Sequence, residues 1–140
     1  MDVVVCGAMA LLMQGIIDRP TRDIDGLGMV AEKGGKQVLV KPRLSGEFKA
    51  AVGRMGSLCG EGKHCFSTAA TILHEDTVLP EDIICDAEVR RCGSRLTVRL
   101  CSRRHLVYLK MWAAVNRGEP DIGDQVRIDS TAEEAEEAAA

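Results

Sequence analysis

Apolar and polar positions along this chain cluster into short periodic segments, and their order predicts strands and helices in one domain. Residues 3–6, three valines and a cysteine, form an apolar, mostly β-branched run that ends at Gly7. Residues 8–17 continue with helix formers that are apolar on nearly every side. The expectation is a strand, a tight turn and a buried helix. With the first strand starting almost at Met1, the expectation is that an element ahead of it is missing, as in a short form or a fragment. Residues 18–21 are a turn containing Pro20. Residues 23–30 alternate polar positions with Ile24 before Gly26 and Gly28 loosen the pattern, and they predict a second strand. Lys33-Gly34-Gly35-Lys36 predicts a hairpin turn into a strand over residues 37–40, closed by Pro42. Ser45 stands ahead of Glu47, Ala50, Ala51 and Met55, which suit a helix to about residue 56. Residues 57–63 read as loop, residues 67–74 fit either helix or strand, and Ile83-Ile84 is too short to classify. Residues 95–100 set Leu96, Val98 and Leu100 against Arg95, Thr97 and Arg99, the period of a half-buried strand. Ser102 caps a further helix that ends at Gly118, and Pro120 starts a second, short one. No internal repeat is apparent. The sum is an α+β domain over residues 1–129, a small mixed β-sheet flanked by helices, followed by an acidic, alanine-rich tail over residues 130–140.

Composition narrows the class. A chain of 140 residues with 46% hydrophobic and 28% charged residues can bury one core, and only the ends are expected to lack order. Aromatic residues are only 3% and the net charge is −3, which argues against a dedicated binder of single-stranded nucleic acid. The apolar stretch over residues 3–17 lacks a basic flank and is cut by Gly7, Gln14 and Gly15, so neither a signal peptide nor a membrane span is expected. That reading gives a cytoplasmic protein with no membrane partner. The six cysteines come without a secretory signal and are expected as reduced thiols. Their spacings are wider than Cys-x-x-Cys and His64 is the only imidazole near them, so buried small hydrophobes are favoured over a zinc site.

Four features can carry chemistry, each with a plainer reading beside it. The strand–Gly7–helix turn leaves backbone N–H groups at a helix start, where they and the helix dipole favour a phosphate; a steric need for glycine at the junction explains it equally. In Arg19-Pro20-Thr21-Arg22-Asp23-Ile24-Asp25 the two aspartates are two apart in a strand and share a face. Adjacent carboxylates repel unless a cation lies between them, and Mg²⁺ gathering substrate phosphates resolves that; two solvated aspartates are the alternative. Lys110 sits in an apolar helical stripe with Leu106, Val107, Ala113 and Ala114, and Arg103 and Arg117 lie seven residues either side of it. Three cations on one face suit a triphosphate, and snorkelling stems are the rival account. Asp121 and Asp124 can face the same way and position Lys110 or Arg117, or simply favour a helix start. Arg90, Arg91, Arg95, Arg99, Arg103 and Arg104 form a basic patch that suits either a polyanion or a solvated strand face.

Taken together, Val5-Cys6-Gly7-Ala8-Met9-Ala10, then Arg19-x-Thr21-x-Asp23-x-Asp25, then Leu106-x-x-x-Lys110-x-x-Ala113 to Arg117-Gly118-x-Pro120-Asp121-x-x-Asp124, resembles the DNA polymerase β-type nucleotidyltransferase superfamily. The branch it is most similar to is that of bacterial proteins related to the AbiEii toxins. The resemblance implies that Gly7 and Ala8, with Arg19, Thr21 and Arg117, bind the nucleotide, and that Asp23 and Asp25 bind a divalent metal, Mg²⁺ or Mn²⁺. Lys110 and Asp124 match positions implicated in activity. The implied reaction is attack by an RNA or protein hydroxyl on the α-phosphate of an NTP with pyrophosphate leaving, and the implied partner is a cognate antitoxin. The segment over residues 79–86 resembles one carrying Trp-Leu-Asn before its last aspartate, which makes Asp86, or Asp82, the position for a third metal carboxylate. Cys6 stands where the family has its first glycine and Ala8 follows Gly7, so the same pattern also fits a degenerate member that binds nucleotide, nucleic acid or protein without chemistry.

Overall fold

The strand β1 (Asp2–Cys6) lies at the centre of a six-stranded mixed sheet. It pairs antiparallel with β2 (Ile24–Lys33) on one edge and parallel with β6 (Leu96–Leu100) on the other. Val3, Val4, Val5 and Cys6 are all buried, which is why the run is apolar throughout rather than alternating. Beyond β2 lies β3 (Lys36–Val40), beyond β6 lies β5 (Glu88–Cys92), and the two-residue β4 (Phe66–Ser67) pairs parallel with the start of β2. The order β3-β2-β1-β6-β5 leaves β3 and β5 as edges. The helices are α1 (Gly7–Met13), α2 (Gly46–Leu58), the single turn α3 (Leu73–Asp76) preceded by a 3₁₀ turn (Ala69–Ile72), and α4 (Arg103–Arg117). This is an α+β fold, seen in a computed structural model that describes residues 1–60, 65–76 and 79–117 and positions 133 and 136. Gly118, the short helix expected at Pro120 and most of the tail expected over residues 130–140 lie outside the described residues. Among the described residues no helix is long and apolar enough to cross a membrane.

Several boundaries differ from the periodicity, each for a local reason. Helix α1 stops at Met13 instead of reaching residue 17 because Gly15 adopts φ +70°. The Gly15 N–H donates to the Leu12 carbonyl at 3.0 Å and the Ile16 N–H to the Leu11 carbonyl at 2.9 Å, the paired bonds of a Schellman ending. Gln14 reinforces the stop, its Nε2 donating to the carbonyls of Ala10 at 3.1 Å and Cys101 at 2.9 Å. Strand β2 starts at Ile24, one residue later than expected, and runs through both glycines to Lys33. Gly26 and Gly28 do not loosen the strand. A Cβ on Gly26 would lie 2.7 Å from Phe66 Cζ, and one on Gly28 would lie 2.7 Å from Leu39 Cγ, so the glycines admit side chains of neighbouring strands. The hairpin that follows turns on Gly34 and Gly35, both with positive φ, as a two-residue turn between twisted strands requires. Strand β5 was not expected; Val89 and Cys92, three apart among charges, leave no period-two signal.

Helix α2 begins at Ser45, whose Oγ accepts from the Phe48 N–H at 3.2 Å. Phe48, Ala51, Val52, Met55 and Cys59 fall at the i, i+3, i+4, i+7, i+11 positions of one stripe. That stripe faces Val3, Val5, Ile24, Leu96 and Val98 of the sheet across an open groove of about 560 Å³. The core proper is built from β1, α1 and α4, with Ala10, Leu11, Leu100, Leu106 and Val107 at or near zero exposure.

Replacing Gly28 by alanine is expected to cost about 1–3 kcal/mol of stability, since the added methyl meets both Leu39 and the Val40 carbonyl. The Gly26→Ala change should cost less, because the far end of the Phe66 ring can give way. Urea unfolding of the two variants checks the order.

Candidate functional site

β1 ends at Cys6 directly opposite Asp25 in the antiparallel ladder. The next residue, Gly7, takes φ +71° and opens α1. Register therefore carries the Asp25 carboxylate to the start of that helix, and a Cβ on Gly7 would collide with Asp25 Oδ2. Two requirements thus meet at one glycine: a left-handed backbone and space for a carboxylate. The cap residue Cys6 gives α1 no side-chain hydrogen bond, so the half-buried Asp25 supplies the negative charge that a helix start favours.

Lys110, on the third turn of α4 and half-buried, acts on the same corner through its charge. The Cys6 thiol is held well above its ordinary pKa: burial is the largest cause, and Cys101 and the Asp25 carboxylate push the same way while the Lys110 ammonium opposes them. Cys101, one residue past β6, is likewise buried and pushed up to about 12. These two thiols are packing groups, not nucleophiles. Gly7 and Asp25 thus meet at the start of α1, and the charges of Asp25 and Lys110 both act on the Cys6 sulfur.

The remaining residues singled out from the sequence are more scattered. Asp23 is exposed and precedes the first paired residue of β2, with Thr21 Oγ1 donating to its carbonyl at 3.4 Å. Arg19 and Thr21 are half-buried, Arg22 is exposed, and Ala8 is the second residue of α1. Arg117 ends α4 as backbone; its side chain, Asp121 and Asp124 lie outside the described residues.

Asp86 belongs to a second cluster, with Asp82 and His105. One ligand atom from each lies within 4.8 Å of the others, a set of two carboxylates and an imidazole that can hold a metal ion. Arg104 already contacts both carboxylates, bonding to Asp82 and lying 3.3 Å from Asp86 Oδ2. His105 is 1% exposed, its Nδ1 3.0 Å from Ser102 Oγ and its Nε2 2.9 Å from Asp82 Oδ1. Partial burial works against the Asp82 carboxylate, and the hydrogen bonds and charges of His105 and Arg104 outweigh it, holding its pKa below the usual range. His105 did not stand out in the sequence; the available signal was its place three residues after the helix-capping Ser102, where the His105 N–H donates to Ser102 Oγ at 3.4 Å.

The basic patch is largely consumed internally. Arg99 forms a fork with Asp2 at 2.9 Å and is only 13% exposed, Arg90 pairs with Glu88 at 2.7 Å, and Arg104 is held as above. The polyanion reading of this patch loses those three cations. Compared with protein-family models, with curated proteins and with solved structures, the chain matches none.

Gly7→Ala should destabilise by about 1–2 kcal/mol from the left-handed backbone alone, plus the collision with Asp25. In a double-mutant cycle with Asp25→Ala the collision part should vanish and the backbone part persist, so the two changes should be non-additive. Because the folded-state pKa of Asp82 is depressed, its contribution to stability is full above the usual carboxylate range and is lost as pH falls through its folded value. The melting temperature of Asp82→Asn should therefore lie below that of the wild type at pH 7, and the gap should close in acid.

Proposed function

We propose that the chain is a metal-dependent nucleotidyltransferase that moves a nucleotidyl group from an NTP to a hydroxyl of RNA or protein, within a toxin–antitoxin pair. The observation that supports this reading is the meeting of Gly7, Asp25 and Lys110, three positions far apart in sequence that the resemblance had linked. Asp25 offers a hard oxygen donor at the start of α1, and the exposed Asp23 can supply a second, a donor set that suits Mg²⁺ or Mn²⁺. When bound, such an ion would neutralise charge developing on the phosphates. Gly7 and Ala8 would offer backbone N–H groups to the polyphosphate, Arg19, Thr21 and Arg117 would hold the nucleotide, and Lys110 would balance charge on the departing pyrophosphate. Asp124 is expected to orient Lys110 or Arg117. The cognate antitoxin would be the protein partner.

A second reading is a nucleotide-, nucleic-acid- or protein-binding module without chemistry. It is favoured by Asp86, the position expected to supply a third metal carboxylate, which is bound up with Arg104. Incubation with α-³²P-labelled NTPs, Mg²⁺ or Mn²⁺, and total RNA or protein separates the two. Wild-type protein should transfer label, and Asp25→Ala and Asp23→Ala should each lower transfer at least a hundredfold. Metal-dependent NTP binding with no transfer by any form assigns the second reading; neither NTP binding nor transfer removes the first reading and the nucleotide-binding form of the second.

A further inference from the structure

The groove between α2 and the sheet opens on the sheet face away from the Asp25 carboxylate, with Thr21 at the border between the two. Ile24 lines it, and in a strand the next residue, Asp25, points to the opposite face. Val5 lines it too, and Cys6, beside Asp25 and Lys110, likewise points away. Its volume of about 560 Å³ lies within the range of small-molecule sites. The α2 stripe stands off from the sheet, and Met55, more than half exposed, lacks the van der Waals contacts of a close-packed interior.

The lining residues define what fits. The walls are aliphatic, with three flexible methionines, Met9, Met13 and Met55, and only two aromatic rings, Phe48 and Phe66. Such a surface moulds to a flexible chain better than to a flat ring. Among the described residues no carboxylate lines the groove and its single charge is Arg22, which is exposed, so the polar end presents a guanidinium to one ligand head. Charge complementarity then calls for an apolar body ending in one anion. We infer that this groove binds a single-chain amphiphile with an anionic head, of the fatty-acid class.

The methionines supply the test. In full-length protein labelled with ¹³C at the methionine methyls, titration with oleate below its critical micelle concentration is followed by NMR. Saturable shifts are expected at Met9, Met13 and Met55, with Met29 and Met111 unmoved. Arg22→Glu should weaken oleate at least tenfold while leaving methyl oleate unchanged, and Val52→Phe, which fills the groove without opening a cavity, should weaken both. No saturable shift, equal shifts at these five of the six methionine methyls, or binding indifferent to Arg22→Glu and Val52→Phe would overturn the inference. Self-association in sedimentation that moves the same three methyls without oleate would assign the groove to a second copy of the chain, and would overturn it as well.

Discussion

Everything in this structure is referred to the backbone of β1. It is hydrogen-bonded along both edges, buried on its residues from Val3 to Cys6, and its direction fixes where α1 starts. The antiparallel pairing to β2 puts Asp25 beside Cys6, and the parallel pairing to β6 puts Cys101 and the start of α4 beside the same end. A one-residue slip of either partner would turn Asp25 to the other face of the sheet or carry Lys110 out of reach. The site depends on register before it depends on any side chain.

The α4 end of the sheet is secured by polar contacts as well as by the apolar core. Asp82, Ser102, Arg104 and His105 join the loop after α3 to the first turn of α4. Arg99 does the same one layer away, holding Asp2 by its carboxylate and the Ile84 carbonyl at 3.4 Å. Both networks involve groups that are wholly or largely out of water, where an unmatched partner is costly. Further along α4, the charge of Lys110 acts on the Cys6–Asp25 corner.

Much of this was legible in the sequence, and the rest was hidden for identifiable reasons. The apolar run before Gly7, the Lys33–Lys36 hairpin, the cap at Ser45 and the alternation of residues 95–100 all carried local signals strong enough to survive folding. The end of α1 did not, because Gly15 was read as an interruption of an apolar run and not as a helix stop. Gly26 and Gly28 misled in the opposite direction: their cause is a neighbour's side chain, which no local window contains. At the site, Gly7, Asp25 and Lys110 were visible as residue types in order, whereas the commitment of Asp86 to Arg104 and the burial of His105 arise from contacts 18 and more residues apart or from packing. Fold class followed from local pattern; partner choice among charged groups followed only from three dimensions.

The two rims of the sheet differ in a way that bears on how the protein behaves at high concentration. A free β-strand edge offers unpaired N–H and C=O groups to any other strand that drifts past. On β5 that invitation is crowded by Glu88, Arg90 and Arg91, and Arg90 is drawn back to the Met13 carbonyl at 2.9 Å. Another molecule adding a strand there would have to set its own copies of these cations against them. The β5 rim therefore acts as a stop to sheet growth, and crowding of this protein should not lead to ordered fibres seeded from that side.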